Sequence, residues 1–280
     1  MNCYHYQIST SQGNISVWDS NPKEKEFAAV MIHANSASKE FFSNQMNSEL
    51  ASKYRFIAID LPGHGESEHA ISPEDTYSFP GYAKVVSEVV NNLDLQNFAV
   101  VGWSLGGHIA LEMIDRVKGI SGVLITGTPP IQLSPEGISK GFRQMPEEVL
   151  KLIGKEELTE EESRLFMAGA GYDGSEEKEW MVQCGMKTHG LARKLMFSSI
   201  GQGVGKDETE IVAQTKLPIA VIGGENDPGI NYDYIKGLKF GNLWREQVFL
   251  IKGCGHAVVQ EAPSEFSRLL AEFLKDIAPN

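Results

Sequence analysis

The chain has little with which to staple, chelate or anchor itself. Three of its 280 residues are cysteine (Cys3, Cys184, Cys254). They are odd in number and widely spaced, with no CxxC pair, which argues against a disulfide framework and a zinc ribbon. Basic residues are outnumbered by acidic ones, 25 to 37, for a formal charge of −12 at pH 7. Without a Lys/Arg cluster to displace phosphate counterions, neither nucleic acid nor an anionic membrane surface is expected as a partner. No apolar run approaches the roughly 18 residues that a membrane span requires. The opening MNCYHYQISTSQGNISVW lacks the basic stretch and apolar core of a secretory signal. Internal repeats and low-complexity tracts are missing as well. The expectation is a cytoplasmic protein in a reducing setting, monomer or homodimer, whose partner is a small molecule.

Hydrophobic residues make up 41 % of the chain, enough for a sizeable core, and the length suits one α/β domain with an insertion or at most two domains. Tyr4–Ser9 and Asn14–Asp19 flank Gly13 as a hairpin would. Phe27–His33, Arg55–Asp60, Phe98–Trp103 and Ile120–Thr126 are continuous apolar runs, the mark of strands buried on both faces. Between them, Phe41–Ser52, Pro80–Asn92 and Leu105–Val117 have helical spacing. That alternation predicts a parallel sheet with helices on both faces.

The rhythm stops at Pro130 and resumes at Leu217–Ile222, followed by Gln247–Ile251 and a helix over Pro263–Ile277. The intervening stretch has no strand-like run but several capped helix starts: Ser134-Pro135-Glu136, Thr159 before three glutamates, and Ser175-Glu176-Glu177. Residues 1–129 and 215–280 are therefore expected to form a core domain, and 130–214 a helical cap. The cap holds Met145, Met167, Met181, Met186 and Met196 with Phe142, Phe166, Tyr172, Trp180 and Phe197. Such residues suit an adaptable apolar pocket, and equally the cap's own packing.

Gly102-Trp103-Ser104-Leu105-Gly106 is a GxSxG pattern between an apolar strand and a helix. A nucleophilic serine needs that context, because a strained strand-to-helix turn holds its hydroxyl clear of the sheet. It also needs a base and an orienting acid, both expected in loops at the C-terminal ends of later strands. His256, after Gln247–Ile251, is the expected base. Asp227, after Leu217–Ile222, is the expected acid, with Glu225 the competitor. The strand before the cap ends in Thr126-Gly127-Thr128-Pro129-Pro130, which offers no carboxylate. Donors for an oxyanion are expected from the backbone N–H of Leu105 and from Asn35, in the loop His33-Ala34-Asn35-Ser36. Ala34, Trp103, Met145, Phe166, Trp180 and Ala257 are the expected lining of the substrate pocket. No metal and no cofactor are expected.

These motifs, with Asp60-Leu61-Pro62-Gly63-His64-Gly65-Glu66-Ser67 and GCGHAVVQEAP, resemble the α/β-hydrolase superfamily over nearly the whole chain. The resemblance implies an eight-stranded, mostly parallel sheet flanked by helices, with the cap inserted before the last strands. Within the superfamily, GWSLGGHIALEMI, TGTPP, LPIAV and KFGNLW (Lys239–Trp244) resemble the metal-independent N-acyl homoserine lactonases, which open the lactone ring of bacterial quorum-sensing signals. By position, Ser104, Asp227 and His256 would form the triad, and Asn35 with Leu105 the oxyanion hole. Two departures stand out. The family's acid can be glutamate where this chain has Asp227, and many relatives carry glycine where it has Ala34. The absence of an HxHxDH run excludes the metal-dependent lactonase chemistry. Carboxylesterases, carbon–carbon bond hydrolases and perhydrolases share elbow, acid and histidine, and stay open as alternatives. So does a receptor-like binding protein that retains a slow triad. Dehalogenases and epoxide hydrolases of this fold need a carboxylate nucleophile, which Ser104 excludes.

Overall fold

The computed structural model describes residues 3–23 and 26–279. Met1 and Asn2 of the opening segment lie outside them. Eight strands form one sheet: β1 Tyr4–Thr10, β2 Gly13–Asp19, β3 Ala28–Ile32, β4 Arg55–Ile59, β5 Phe98–Trp103, β6 Ile120–Thr126, β7 Ile219–Gly224 and β8 Leu243–Ile251. Their order across the sheet is β1-β2-β4-β3-β5-β6-β7-β8. The β1–β2 hairpin joins antiparallel, and every pairing from β4 to β8 is parallel. Every residue of β3, β4, β5 and β7 is buried, as continuous Val/Ile/Ala runs between two helical layers require. The helix Phe79–Asn92 packs on one face, and the closing helix Pro263–Ile277 turns Phe266, Leu269, Leu270, Phe273 and Leu274 to the other.

The stretch Phe41–Ser52 differs from the single helix its spacing predicts. It breaks into a 3₁₀ turn (Lys39–Phe42) and two one-turn helices, Ser43–Met46 and Leu50–Lys53. The cause is local. Asn47 Nδ2 donates to the Ser43 carbonyl and Ser48 Oγ to that of Gln45, so side chains end the first turn where a helix would continue. The last strand begins at Leu243, earlier than its apolar run, because Leu243 already pairs with Ile219; Arg245 and Glu246, at φ +53° and +56°, kink it where its register against β7 shifts.

Between β6 and β7 the chain makes six helices: Pro135–Gly141, Glu147–Ile153, Glu160–Ala168, Glu179–Lys187, Gly190–Gly201 and Glu208–Gln214. Three of their methionines, Met167, Met181 and Met196, are fully buried in packing rather than lining an open pocket, and Met186 faces solvent. This inserted segment sits over loops at the C-terminal ends of the strands. Phe142 bridges Ile230 beyond β7, His189 N–H donates to the Gly63 carbonyl beyond β4, and Asn35 Nδ2 beyond β3 donates to the Ile153 carbonyl. No helix among the described residues is long and apolar enough to cross a membrane.

Candidate active site

Ser104 caps the helix Leu105–Met113 with φ +53° and ψ −114°, a conformation that L-residues seldom adopt. The turn persists because its surroundings over-determine it. Ser104 N–H donates to the Thr126 carbonyl at 2.8 Å, and the Thr128 hydroxyl lies 2.9 Å from the Ser104 carbonyl. The flanking glycines allow backbone contact that no side chain would. A Cβ on Gly106 would lie 2.0 Å from the Ile32 carbonyl oxygen, and one on Gly102 would lie 2.2 Å from that of Gly106.

The loops after β7 and β8 bring Asp227 and His256 together. His256 Nδ1 lies 2.8 Å from Asp227 Oδ2. With Nδ1–H donating to that carboxylate, the lone pair of the imidazole is on Nε2. The other carboxylate oxygen accepts from the N–H groups of Gly229 (2.9 Å) and Ile230 (3.2 Å), and Tyr232 closes the set with its hydroxyl 3.5 Å from Oδ2. Asp227 is 1 % exposed. Burial on its own would raise its carboxyl, but the His256 imidazole and the backbone donors outweigh that and hold it below the ordinary value. Burial would likewise lower His256, and the Asp227 carboxylate outweighs it, holding the imidazole above the ordinary histidine value. Glu225 is exposed, and among the described residues no hydrogen bond or ion pair joins it to His256. Of the two carboxylates that the sequence offers, it is Asp227 that meets the imidazole.

The neighbours of His256 are equally fixed. Trp103 donates its indole N–H to the His256 carbonyl at 3.0 Å and is buried, so it braces the histidine loop from below. Gly127, at φ +59°, lets the chain pass under the ring, where a Cβ would stand 2.8 Å from His256 Cε1. On the far side of the elbow, the loop after β3 carries Ala34 and Asn35. His33 anchors it with both ring nitrogens, Nδ1 at 2.7 Å from the Ala34 carbonyl and Nε2 accepting from Leu61 N–H at 3.0 Å. Complete burial pushes this imidazole down to about 4, so it stays neutral. Ser36 follows at φ +60°. Leu105 N–H, at the first position of its helix, has no intrahelical acceptor, and neither it nor Asn35 N–H is bonded within the described residues.

The other expected lining residues scatter around this centre. Trp180 packs edge-on against Phe41, whose ring also meets Trp103. Met145 stands beside Gly229 in the acid loop, Phe166 packs against the lower core, and Ala257 is fully buried next to His256. Thr128 and Tyr232 were invisible as site residues in the sequence. The one lies in a Thr/Pro tract and the other opens the short helix Tyr232–Gly237 beyond the acid loop, with no pattern that marks either as a partner of Ser104 or Asp227.

A model of the alpha/beta hydrolase family matches residues 29–269. The chain belongs to the α/β-hydrolase family. This hydrolase is similar to the AB hydrolase superfamily protein YisY of Bacillus subtilis (strain 168), 23 % identical over 256 residues that cover 87 % of this chain and 90 % of that one. Among solved structures it is similar to the N-acyl homoserine lactonase AidH. A complex of AidH with N-butanoyl homoserine is 38 % identical, with a TM-score of 0.92 over 99 % of this chain and 98 % of that one. A serine-to-glycine variant of AidH holding N-hexanoyl homoserine lactone gives 38 % and 0.91, covering 98 % of each chain. The esterase EaEST of Exiguobacterium antarcticum, 20 % identical with a TM-score of 0.78 over 97 % of this chain and all of that one, shares the fold.

Proposed function

We propose that this hydrolase opens the lactone ring of N-acyl homoserine lactones by acyl transfer through Ser104, with His256 as general base and Asp227 as the orienting acid. The observation that carries the reading is a strained Ser104 turn at the end of β5 in the same molecule as an imidazole that a buried carboxylate holds at 2.8 Å in the loops after β7 and β8. Similarity to AidH, a lactonase captured with an acyl homoserine lactone, supports the choice of substrate.

The chemistry follows from the geometry. His256 Nε2 takes the Ser104 proton as Oγ attacks the lactone carbonyl, and Asp227 stabilises the imidazolium that results. The oxyanion forms beneath the N–H groups of Asn35 and Leu105, whose hydrogens are not committed elsewhere among the described residues. Collapse breaks the bond to the ring oxygen, which takes the proton back from His256. The new alcohol remains tethered to the acyl-enzyme and can close the ring again. Water, deprotonated by His256, competes with it and releases N-acyl homoserine.

The test compares N-hexanoyl and N-decanoyl homoserine lactone with p-nitrophenyl butyrate, following acid release and verifying ring-opened product by mass. Each additional buried CH₂ is worth roughly 0.8 kcal/mol, so kcat/KM is expected to rise about fourfold per CH₂ until the acyl site is full. Brisk ester hydrolysis with lactone opening no faster than background would return the chain to the carboxylesterases.

A further inference from the structure

Arg193, at the end of the first turn of the helix Gly190–Gly201, is a buried cation without an acid. The residue is 1 % exposed, and no carboxylate among the described residues forms an ion pair with it. Burial alone pulls it down to about 10. An uncompensated buried charge is costly unless its hydrogens are spent well. Here they are spent on carbonyls. Nε donates to Lys155 O at 2.6 Å, Nη2 to Glu156 O at 2.6 Å, and Nη1 to Gly185 O at 2.9 Å. The remaining contact of Nη1 leaves the inserted segment and reaches Ser36 Oγ in the loop after β3, at 3.4 Å.

That last contact closes a circuit. Ser36 Oγ donates to Asn35 Oδ1 at 3.3 Å, and Asn35 Nδ2 donates to the Ile153 carbonyl at 3.3 Å. Ile153 ends the helix Glu147–Ile153, and the carbonyls of Lys155 and Glu156 just beyond it are the ones Arg193 holds. The turn at 153–156 is thus tied to Asn35 directly and through Arg193 and Ser36. The base of the Arg193 helix is fixed as well. His189 N–H donates to Gly63 O, the Tyr77 hydroxyl lies 2.8 Å from His189 Nδ1, and Gly190 packs so close to Glu156 that a Cβ would meet its carbonyl oxygen at 2.3 Å.

We infer that Arg193 is a positioning residue for the oxyanion hole: through Ser36 it fixes the Asn35 peptide in its donating orientation, and it does so only when the inserted segment is docked. The inference rests on the reading of Asn35 N–H as an oxyanion donor. Two features of the loop make the role physical. Ser36 stands at φ +60°, a conformation a non-glycine residue leaves unless something holds it, and the peptide that must be aimed lies one residue earlier. Among its described neighbours, the Ser36 side chain bonds only to Asn35 and Arg193. Docking of the segment over a bound acyl chain and completion of the hole are then one event, which keeps the acyl-enzyme from forming in an open, wet site.

Two variants separate positioning from support. Ser36→Ala removes the relay atom and leaves the three Arg193–carbonyl contacts alone. Arg193→Lys keeps the charge but cannot reproduce a planar fork to several acceptors. Loss of one oxyanion donor costs about 10²–10³ in kcat, so partial misalignment is expected to cost about tenfold in Ser36→Ala and about a hundredfold in Arg193→Lys. KM and the inhibition constant of ring-opened N-hexanoyl homoserine are expected to stay within about twofold, because the loss falls on the transition state. Affinity for butylboronic acid, which forms a tetrahedral adduct on serine, is expected to fall in step with kcat/KM. The measurement is made on N-hexanoyl homoserine lactone and on p-nitrophenyl butyrate. A wild type that hydrolyses the ester alone overturns the lactonase reading and leaves this test intact on the ester. Folded variants with wild-type kcat overturn the positioning role, as does an equal fall of product and boronate affinity. If Arg193→Lys does not fold, Ser36→Ala decides by itself.

Discussion

The sheet and the inserted segment solve the same problem in opposite ways. Strands β3, β4, β5 and β7 are buried along their whole length, and the loops they launch are held by main-chain bonds such as Ser104 N–H to Thr126 O and Asn226 N–H to Cys254 O. The inserted helices bury fewer residues each and meet the core through scattered main-chain bonds, such as His189 N–H to Gly63 O, joined by side chains reaching across: Arg193 to Ser36, His189 to Tyr77, His108 to Glu208 at 2.7 Å. Main-chain pairing fixes a loop for almost any side chain it carries, whereas a side-chain bridge exists only with its residue. On the proposed reading, the chemistry sits on the loops held by main-chain bonds, and the inserted segment is the part that substitution reshapes more readily.

Replacing Ser104 breaks the comparison hardest if it is wrong. Ser104→Ala is expected to lower kcat by several orders of magnitude while circular dichroism and melting stay near wild type, since the elbow is held by its backbone. Ser104→Gly is expected to be as inactive but about 1 kcal/mol more stable than Ser104→Ala in urea, because glycine relieves the positive φ. Retention of more than about a tenth of kcat in either variant would remove Ser104 from the role of nucleophile.

Asp227 comes next. Asp227→Asn is expected to cost roughly 10⁴ in kcat, as loss of the group that sets the imidazole tautomer does elsewhere, and exposed Glu225→Gln less than about twofold. The pH profile adds a sign. As the proposed base, His256 would act only when unprotonated, and Asp227 holds it above its ordinary value, so the acid limb of kcat/KM should lie above the roughly 6.5 of a free imidazole. In Asp227→Asn the carboxylate is gone and burial remains, so the residual activity should show that limb displaced to lower pH. A displacement to higher pH would mean that something other than Asp227 raises His256. The pair also marks a stability window. Asp227's contribution is lost as pH falls through its lowered pKa, and that of His256 as pH rises through its raised one.

How much of this could be read from the residues follows the same division. Apolar runs for β3 to β7 and the GxSxG turn are local patterns, and the sheet appears where they put it. The resembled fold usually places its acid three residues past a glycine, which favours Asp227 over Glu225; in the structure Asp227 is buried and Glu225 exposed. Signals fail where the decisive partner is distant in sequence. Ser36 and Arg193 stand 157 positions apart, and nothing about either residue names the other. They fail as well where side chains compete with the backbone, as at Asn47 and Ser48, and where one residue type serves two ends, as with the methionines that fill the insert's packing.

The smallest expected effect tests whether the two regions open separately. Helix Glu160–Ala168 lies in the inserted segment and starts with a capping box: Thr159 Oγ1 accepts from Glu162 N–H, and the Glu162 carboxylate accepts from Thr159 N–H at 2.9 Å. Neither residue touches the site. Thr159→Ala removes one half of the box, a loss worth about 1 kcal/mol of helix stability. If the segment opens in its own local unfolding, that loss should appear as roughly fivefold faster amide hydrogen exchange along 160–168, with strand β5 unchanged. The contrast is reasonable because β5 has parallel neighbours on both edges, while the helix rests mainly on the adjoining helices Glu147–Ile153 and Glu179–Lys187. Equal acceleration in both places would mean that the helices come away only when the sheet does. The side-chain bridges would then be as much a part of the core as the main-chain pairing beneath them.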